Sequence, residues 1–222
     1  MNNKCENKDK PVEPTGSFFA RESLVIGLTG GVATGKTTVA RMFQDLGAKV
    51  ISADELVHRM LEPGSEVWKR VRQEFGDAIV RADGSIDRAK LGELVFRDTG
   101  KRMRLEAIIH PPVLDSLQKE ADLFRRCEKG VLILEIPLLI EAGALCMVDK
   151  VLVVTAEQES QISRLEKRYG MRRVEAIRRI ASQLPLVEKV KYADWVISTE
   201  GTLDSTKKEV ERVWCEVQKL LA

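Results

Sequence analysis

The amino-acid sequence predicts an α/β fold in which helices cover both faces of a five-stranded parallel sheet. Five short apolar runs alternate with segments of helical periodicity, as expected for strands buried on both faces. A glycine-rich loop joins the first apolar run to the first helical segment. A charged helical stretch of about sixty residues, far longer than a crossover helix needs, separates the second strand from the third. The chain has 222 residues, enough for one such domain with insertions.

Composition argues against several classes of protein. Lys and Arg number 36 against 34 Asp and Glu, a net charge of +2, so the balance indicates no nucleic-acid or membrane partner. No apolar run reaches the length of about eighteen residues that a membrane span needs. Residues 1–14 are polar and charged without an apolar signal segment, and we expect a disordered tail over residues 1–22. The four cysteines are scattered, which favours reduced thiols in a cytoplasmic protein over a zinc site.

The first strand, residues 24–28, leads into the sequence Gly-Gly-Val-Ala-Thr-Gly-Lys-Thr at residues 30–37, and a helical pattern follows. This order fits the phosphate-binding motif of Gly, four residues and Gly-Lys-Ser/Thr. Glycines let backbone amides converge on phosphate oxygens, and the helix N-terminus adds positive partial charge. We expect Lys36 to reach the β- and γ-phosphates of a nucleoside triphosphate and the Thr37 hydroxyl to bind Mg²⁺. The other predicted phosphate-loop residues are Gly31, Val32, Ala33, Thr34 and Gly35.

Asp54 follows the second predicted strand, residues 48–52. Ligands of open parallel sheets bind at the carboxyl ends of the strands, so Asp54 is a candidate to accept the proton of an attacking hydroxyl. It is also placed to cap the helix that opens at Glu55, and one side chain can serve both roles. His58 lies one turn further, where the simpler interpretation is a surface helix residue.

Residues 61–128 form a predicted helical insertion, which is the natural place for a surface that binds the phosphoryl acceptor. Within it, Pro111 and Pro112 predict the end of one helix and the start of another. His110 directly precedes them. Two roles fit this histidine: it contacts a ligand, or it is a structural residue at the end of a helix.

Glu135 lies near the end of the third predicted strand, residues 131–137. An acidic residue at this place suits a direct or water-mediated Mg²⁺ role. The third, fourth and fifth predicted strands and a C-terminal helix with an apolar stripe complete the predicted nucleotide-binding core. That core covers residues 23–60, 129–157 and 186–222.

Residues 158–185 are rich in arginine, and Tyr169-Gly170 divides them into two helices. This is the shape of a lid that closes over phosphates and excludes water. Arg164 and Arg168 are one turn apart and share a helix face. A guanidinium there would neutralise charge on the transferring γ-phosphoryl group, whereas an ordinary solvated helix face explains most of the other charges.

These residues together resemble the bacterial dephospho-CoA kinase family over about residues 24–220. The matching motifs are Gly27-Leu28-Thr29-Gly30-Gly31 before the loop, Ala53-Asp54 with His58, Ile109-His110-Pro111, Pro137-Leu138-Leu139-Ile140-Glu141, Arg164 with Arg168, Gln183, and Ala193-Asp194-Trp195-Val196-Ile197. The resemblance implies a three-layer P-loop NTPase fold that uses ATP with Mg²⁺. It implies phosphorylation of the ribose 3′-hydroxyl of dephospho-CoA to give CoA and ADP, the final step of coenzyme A biosynthesis. From the composition we expect a cytoplasmic protein, and we take it to be a monomer or small homo-oligomer, since the sequence does not give the oligomeric state.

The resemblance also assigns roles to single residues. Asp54 becomes the base that activates the acceptor hydroxyl, which resolves the choice between cap and base. Lys36 and Arg164 complete the catalytic set, Arg168 joins the phosphate loop in binding ATP, and the insertion becomes the CoA-binding domain. The remaining implied roles are substrate contacts at Thr29, His58, His110, Pro137 and Leu138, and Mg²⁺ binding by Thr37 and Glu135.

Three positions depart from the family pattern. Ser52 stands where the family usually has the first aspartate of Asp-Ala-Asp, although Asp54 keeps the second. Glu135 stands where Asp is frequent, and its side chain is one methylene longer. Thr199 lies where the family has an asparagine of the adenine pocket, which leaves the nucleotide preference open.

Three other classes of protein fit the phosphate loop less well. A nucleoside monophosphate kinase would lack both the long insertion and the Pro-Leu-Leu-x-Glu motif at residues 137–141. A GTP-binding switch needs Asn-Lys-x-Asp late in the chain, and the only near match, Asn7-Lys8-Asp9-Lys10, precedes the phosphate loop. A nucleic-acid-binding ATPase is disfavoured by the small net charge and by an aromatic content of 5%.

Overall fold

The computed structural model describes residues 22–221, and the predicted tail over residues 1–22 lies outside them except for Glu22. Strands and helices alternate along the nucleotide-binding part of the chain. The strands are β1 Ser23–Gly30, β2 Lys49–Ser52, β3 Gly130–Glu135, β4 Lys150–Thr155 and β5 Trp195–Ser198. The helices are α1 Lys36–Asp45, α2 Ala53–Met60, α3 Glu66–Phe75, α4 Arg88–Arg97, α5 Thr99–Cys127, α6 Gln158–Tyr169, α7 Arg173–Ala181, α8 Leu186–Val190 and α9 Leu203–Leu221.

The five strands form one sheet in the order β2-β3-β1-β4-β5. β1 is central and runs parallel to β3 and to β4, and β4 runs parallel to β5. The predicted α/β class with a five-stranded parallel sheet is therefore confirmed. Because every crossover returns the chain to the same end of the sheet, the carboxyl ends of the strands lie at one edge.

The central strand β1 is buried along almost its whole length, which explains why its sequence is apolar at consecutive positions. Leu24, Ile26 and Leu28 alternate along it and belong to one hydrophobic cluster, which also includes residues of α1 and α9. Phe43 of α1 is fully buried there, and its ring centroid lies 6.2 Å from that of Trp214 of α9. Burial of this apolar surface fixes both helices against the sheet.

The chain divides into two compact units. One comprises the sheet with the helices that pack on it, and the other is Ser52–Glu120. The predicted insertion, residues 61–128, differs from the second unit at both ends. Helix α2 lies within the second unit and contacts α3, and the end of α5 lies in the first unit, where Ala121 and Phe124 are buried.

The prediction that Pro111 and Pro112 separate two helices is wrong, because α5 continues through both of them as one helix of 29 residues. Residues four positions apart are buried on both sides of the prolines, including Ile109, Val113 and Leu117. Burial of this continuous apolar face outweighs the hydrogen bonds that the prolines remove. None of the helices in the described part of the chain, α5 included, is long and apolar enough to cross a membrane.

The predicted pair of helices after β4 is present as α6 and α7. Gly170 ends α6 in the left-handed conformation, with φ of 62°, as the sequence indicated. Ile162, Leu165 and Ala176 form a small hydrophobic cluster between the two helices, and Val32 and Ala33 of the glycine-rich loop pack against it. The helix pair therefore rests directly on the loop.

Gly30 is the position in the sheet where a side chain is least tolerable. It adopts a φ of +154°, and a Cβ atom would lie 2.3 Å from the carbonyl oxygen of Val154 in β4. We predict that Gly30→Ala lowers the free energy of unfolding by about 1–3 kcal/mol, because the backbone of β1 or β4 must move. Gly92→Ala is the control, because its Cβ would meet nothing within 4 Å in α4, and it should stabilise by about 0.5–1 kcal/mol. Urea unfolding of both variants measures the difference, and equal stabilities would contradict the proposed clash.

Candidate active site

The loop between β1 and α1 is a tight turn in which two residues adopt left-handed backbone conformations, Ala33 with φ of 57° and Gly35 with φ of 88°. The carbonyl oxygen of Gly31 lies inside this turn. It accepts hydrogen bonds from the Thr34 hydroxyl at 2.9 Å and from the Lys36 ammonium at 2.7 Å. Turns of this kind direct successive backbone amides toward a common point, where an anion can bind.

Helix α1 begins at Lys36 without a capping side chain. Its N-cap residue is Gly35, which makes no side-chain capping bond, and its first turn carries no acidic residue. By contrast, Ser65 and Asp87 cap α3 and α4. The N-terminus of a helix carries a positive partial charge, which suits a phosphate group.

Thr37 and Glu135 come together next to this N-terminus. The Thr37 hydroxyl donates a hydrogen bond to Oε1 of Glu135 at 2.8 Å, and Glu135 is only 5% exposed at the end of β3. Hydroxyl and carboxylate oxygens are the donors that Mg²⁺ prefers, so this pair fits the ion. No cluster of three or more His, Cys, Asp or Glu able to hold a metal occurs among residues 22–221.

Arg164 of α6 reaches back to the phosphate loop. Its guanidinium donates to the Ala33 carbonyl oxygen at 3.1 Å and to the hydroxyl and carbonyl oxygens of Thr199 at 2.9 and 2.7 Å. The Thr199 hydroxyl in turn donates to the carbonyl oxygen of Thr34 at 2.8 Å. Two carbonyls of the loop are therefore held by side chains that lie more than a hundred residues later in the chain.

Two further contacts complete the surroundings of the loop. The side-chain oxygen Oε1 of Gln183, just beyond α7, accepts a hydrogen bond from the backbone N–H of Val32 at 2.8 Å. Arg168 is exposed, and its guanidinium lies 5.4 Å from the centroid of the Tyr169 ring. Of the two predicted lid arginines, the structure thus places Arg164 against the loop and Arg168 on the outer surface of α6.

The turn after β3 contains the predicted substrate residues Pro137 and Leu138, both half-buried. Thr29, fully buried near the end of β1, donates its hydroxyl to the Pro137 carbonyl oxygen at 3.0 Å. The same carbonyl accepts a second bond from Lys189 at 2.9 Å. Thr29 and the turn after β3 therefore lie together at the carboxyl edge of the sheet.

Asp54, His58 and His110 belong to the unit Ser52–Glu120. Ser52 occupies the N-cap position of α2, so Asp54 lies inside the first turn and does not cap the helix. Asp54 and His58 are exposed and one helical turn apart, on the same face of α2. His110 is half-buried in the interior of α5, so the predicted role at a helix end is wrong for this residue.

The chain is similar to known proteins over most of its length. The family model described as dephospho-CoA kinase matches residues 24–205. The dephospho-CoA kinase of Symbiobacterium thermophilum is 44% identical over 190 residues, which cover 86% of this chain and 80% of that protein.

The chain belongs to the dephospho-CoA kinase family.

Solved structures of similar proteins support the same family. The dephospho-CoA kinase of Campylobacter jejuni has a TM-score of 0.66 at 28% identity, covering 89% of this chain and 98% of that one. A crystal structure of a Thermus thermophilus protein has a TM-score of 0.72 at 33% identity, with 88% and 98% covered. The resemblance inferred from the sequence motifs is thereby confirmed.

Three hydrogen bonds around the glycine-rich loop were not apparent from the sequence. The hydrogen bond between Gln183 and Val32 joins residues 151 positions apart, and the bonds of Thr199 to Arg164 and Thr34 span 35 and 165 positions. No local pattern encodes pairs at such separations. The sequence marked position 199 only as a departure from the asparagine of the family. That departure suggested a role in the adenine pocket and not a contact with the loop.

Thr199 offers a test of how the loop is held. Replacing Thr199 by Val removes the hydroxyl that pairs with Arg164 and with the Thr34 carbonyl oxygen, leaving two polar groups without this partner. We predict that Thr199→Val lowers the free energy of unfolding by about 1–3 kcal/mol. Thr199→Ser keeps the hydroxyl and loses one methyl group, so it should cost less than about 1 kcal/mol. Urea unfolding of the two variants measures the difference, and a valine variant as stable as the serine variant would show that the hydroxyl contributes nothing.

Proposed function

We propose that this protein transfers the γ-phosphoryl group of ATP to the ribose 3′-hydroxyl of dephospho-CoA, producing CoA and ADP in the last step of coenzyme A biosynthesis. Membership of the dephospho-CoA kinase family over residues 24–205 carries this proposal. The uncapped N-terminus of α1, with a loop shaped for phosphate in front of it, provides independent support.

The phosphate loop would bind the triphosphate through its backbone amides, and Lys36 would contact the β- and γ-phosphates. Lys36 is bonded to the Gly31 carbonyl oxygen, so ATP would have to compete with that bond. Thr37 and Glu135 are the residues that would hold Mg²⁺. When bound, Mg²⁺ neutralises charge on the β- and γ-phosphates.

The acceptor side of the proposal rests on Asp54. Asp54 follows β2 by two residues, so chain connectivity keeps it close to the carboxyl end of that strand. It is not used as a helix cap, and its exposed carboxylate is available to orient and deprotonate a hydroxyl. We propose that the unit Ser52–Glu120 binds the CoA moiety, with His58 and His110 contributing to it and Thr29, Pro137 and Leu138 contacting the acceptor from the sheet.

The lid arginines would act on the phosphates from α6. Arg164 is already bonded to the phosphate loop, so we assign it to the triphosphate, and exposed Arg168 would reach the nucleotide when the lid closes. We further propose that the enzyme works in the cytoplasm as a monomer or small homo-oligomer. The exposed thiols of Cys127 and Cys215 suit a reducing compartment.

Steady-state ADP release with ATP and Mg²⁺ tests the acceptor. Dephospho-CoA, adenosine, AMP and CMP are offered in turn. We expect a kcat/KM of about 10⁴ M⁻¹s⁻¹ or more with dephospho-CoA and negligible rates with AMP and CMP. ADP release only with a nucleotide, or equally without any acceptor, would exclude the proposed acceptor while leaving the phosphate loop intact.

Asp54→Asn tests the proposed base. The amide keeps the size of the side chain but cannot take a proton, so we predict a fall in kcat of about 10²-fold or more with little change in either KM. Glu55→Gln is the matched control, since Glu55 is an exposed acid in the same first turn of α2, and it should leave kcat within about twofold of wild type. A comparable loss in both variants would point to the charge of the helix terminus and not to a base at Asp54.

A further inference from the structure

Lys189 is a fully buried lysine in α8, with 0% of its surface exposed. Its helical neighbours show the opposite pattern, because Val187 is 71% exposed and Val190 is 37% exposed. Burying an ammonium group costs several kcal/mol unless partners replace its water. The helix therefore turns Lys189 inward and leaves two valines outside, the reverse of what hydropathy alone predicts for these three residues.

The partners of Lys189 all lie in the turn at residues 137–141, which we call the Pro137 turn. The ammonium donates to the Pro137 carbonyl oxygen at 2.9 Å, and its distances to Oε1 and Oε2 of Glu141 are 2.9 and 3.1 Å. Three acceptor atoms thus match the three N–H donors of an ammonium group. Lys189 holds the first and the last residue of the Pro137 turn at once.

The same stretch of chain also contacts the phosphate loop. Residues 183–189, the post-lid segment, follow α7 directly. Gln183 bonds to the Val32 N–H at 2.8 Å, and the Leu184 N–H donates to Oε1 of Glu141 at 3.1 Å. Thr29 immediately precedes Gly30 at the start of the loop. Its hydroxyl donates to the Pro137 carbonyl oxygen and so connects the Pro137 turn to the phosphate loop.

The post-lid segment therefore joins the lid, the phosphate loop and the Pro137 turn through one connected set of hydrogen bonds. Lys189 is fully buried, whereas the Glu141 side chain that faces it is 24% exposed. An ion pair with a buried member is a poor way to gain stability, since an apolar pair of similar volume is commonly as stable or more stable. A buried ion pair does, however, fix direction, because its donors and acceptors must face each other. Stability alone does not account for a charged pair at this place.

We propose that Lys189, paired with Glu141, is a positioning residue for the acceptor. Its bonds set the position of the Pro137 turn relative to the phosphate loop, and thus the approach of the acceptor hydroxyl to the γ-phosphoryl group. This inference rests on the proposed function, in which Pro137 and Leu138 contact dephospho-CoA. Gln183, at the other end of the post-lid segment, accepts the hydrogen bond of the Val32 N–H and so contacts the loop that would bind the nucleotide.

The test separates positioning from stability. The double variant Lys189→Met with Glu141→Met replaces this ion pair by apolar side chains of similar length, so it should fold with an unfolding midpoint close to that of the wild-type enzyme. We expect its KM for dephospho-CoA to rise about tenfold or more, with the KM for ATP within about twofold of wild type. Lys191→Met with Glu188→Met is the matched control. It removes a neighbouring ion pair whose side chains are 65% and 44% exposed, and it should change neither KM.

A folded double variant with an unchanged KM for dephospho-CoA, or with both KM values raised in parallel, would overturn the inference. If the double variant does not fold, Glu141→Gln takes its place. Glutamine keeps an oxygen for the Leu184 N–H but removes the charge that faces Lys189, so the same selective rise is expected and its absence would overturn the inference. Failure of the wild-type enzyme to use dephospho-CoA would instead refute the proposed function, and this inference with it.

Discussion

The shape of the phosphate loop depends on hydrogen bonds that arrive from the second half of the chain. Arg164 and Thr199 hold the carbonyls of Ala33 and Thr34, and Gln183 holds the N–H of Val32. When loop carbonyls are bonded from outside, the remaining loop amides keep their direction toward the ligand. The strained conformation of Ala33, with φ of 57°, persists because these contacts over-determine it. The conformation of the glycine-rich loop therefore depends on α6, on Gln183 beyond α7 and on Thr199 beyond β5 as well as on its own sequence.

The elements that sequence analysis predicted correctly are those with local signals. Strand β1 is apolar at consecutive positions because both of its faces are covered, and that pattern can be read without knowledge of the partners. The loop motif fixes the start of α1, and Gly170 supplies the left-handed residue that ends α6. Parallel topology follows from the alternation of strands and helices. The parallel class of the sheet, its five strands and the place of the glycine-rich loop could thus be predicted from neighbouring residues, whereas the order β2-β3-β1-β4-β5 could not.

The features that sequence analysis missed are decided by packing between distant residues. Pro111 and Pro112 break a helix in isolation, yet α5 continues because buried residues before and after them form one face. Hydropathy predicts that Lys189 is exposed, yet it is buried because Glu141, 48 residues away, supplies its counter-charge. Asp54 reads as a cap, but Ser52 takes that position. For the two prolines and for Lys189, a local preference is outweighed by contacts that the local sequence does not contain, whereas the position of Asp54 follows from where α2 begins.

Arg164 shows how structural and catalytic assignments of one side chain can be compatible. A guanidinium has five N–H donors in a fixed plane. Within the described residues, three hydrogen bonds of Arg164 go to Ala33 and Thr199, all through its two terminal nitrogens. The group thus retains donor capacity while it is anchored beside the loop, so its orientation is set before any phosphate binds. A charge held in place in this way needs no reorganisation as negative charge moves between phosphate oxygens, which is the condition under which electrostatic stabilisation contributes most to the rate.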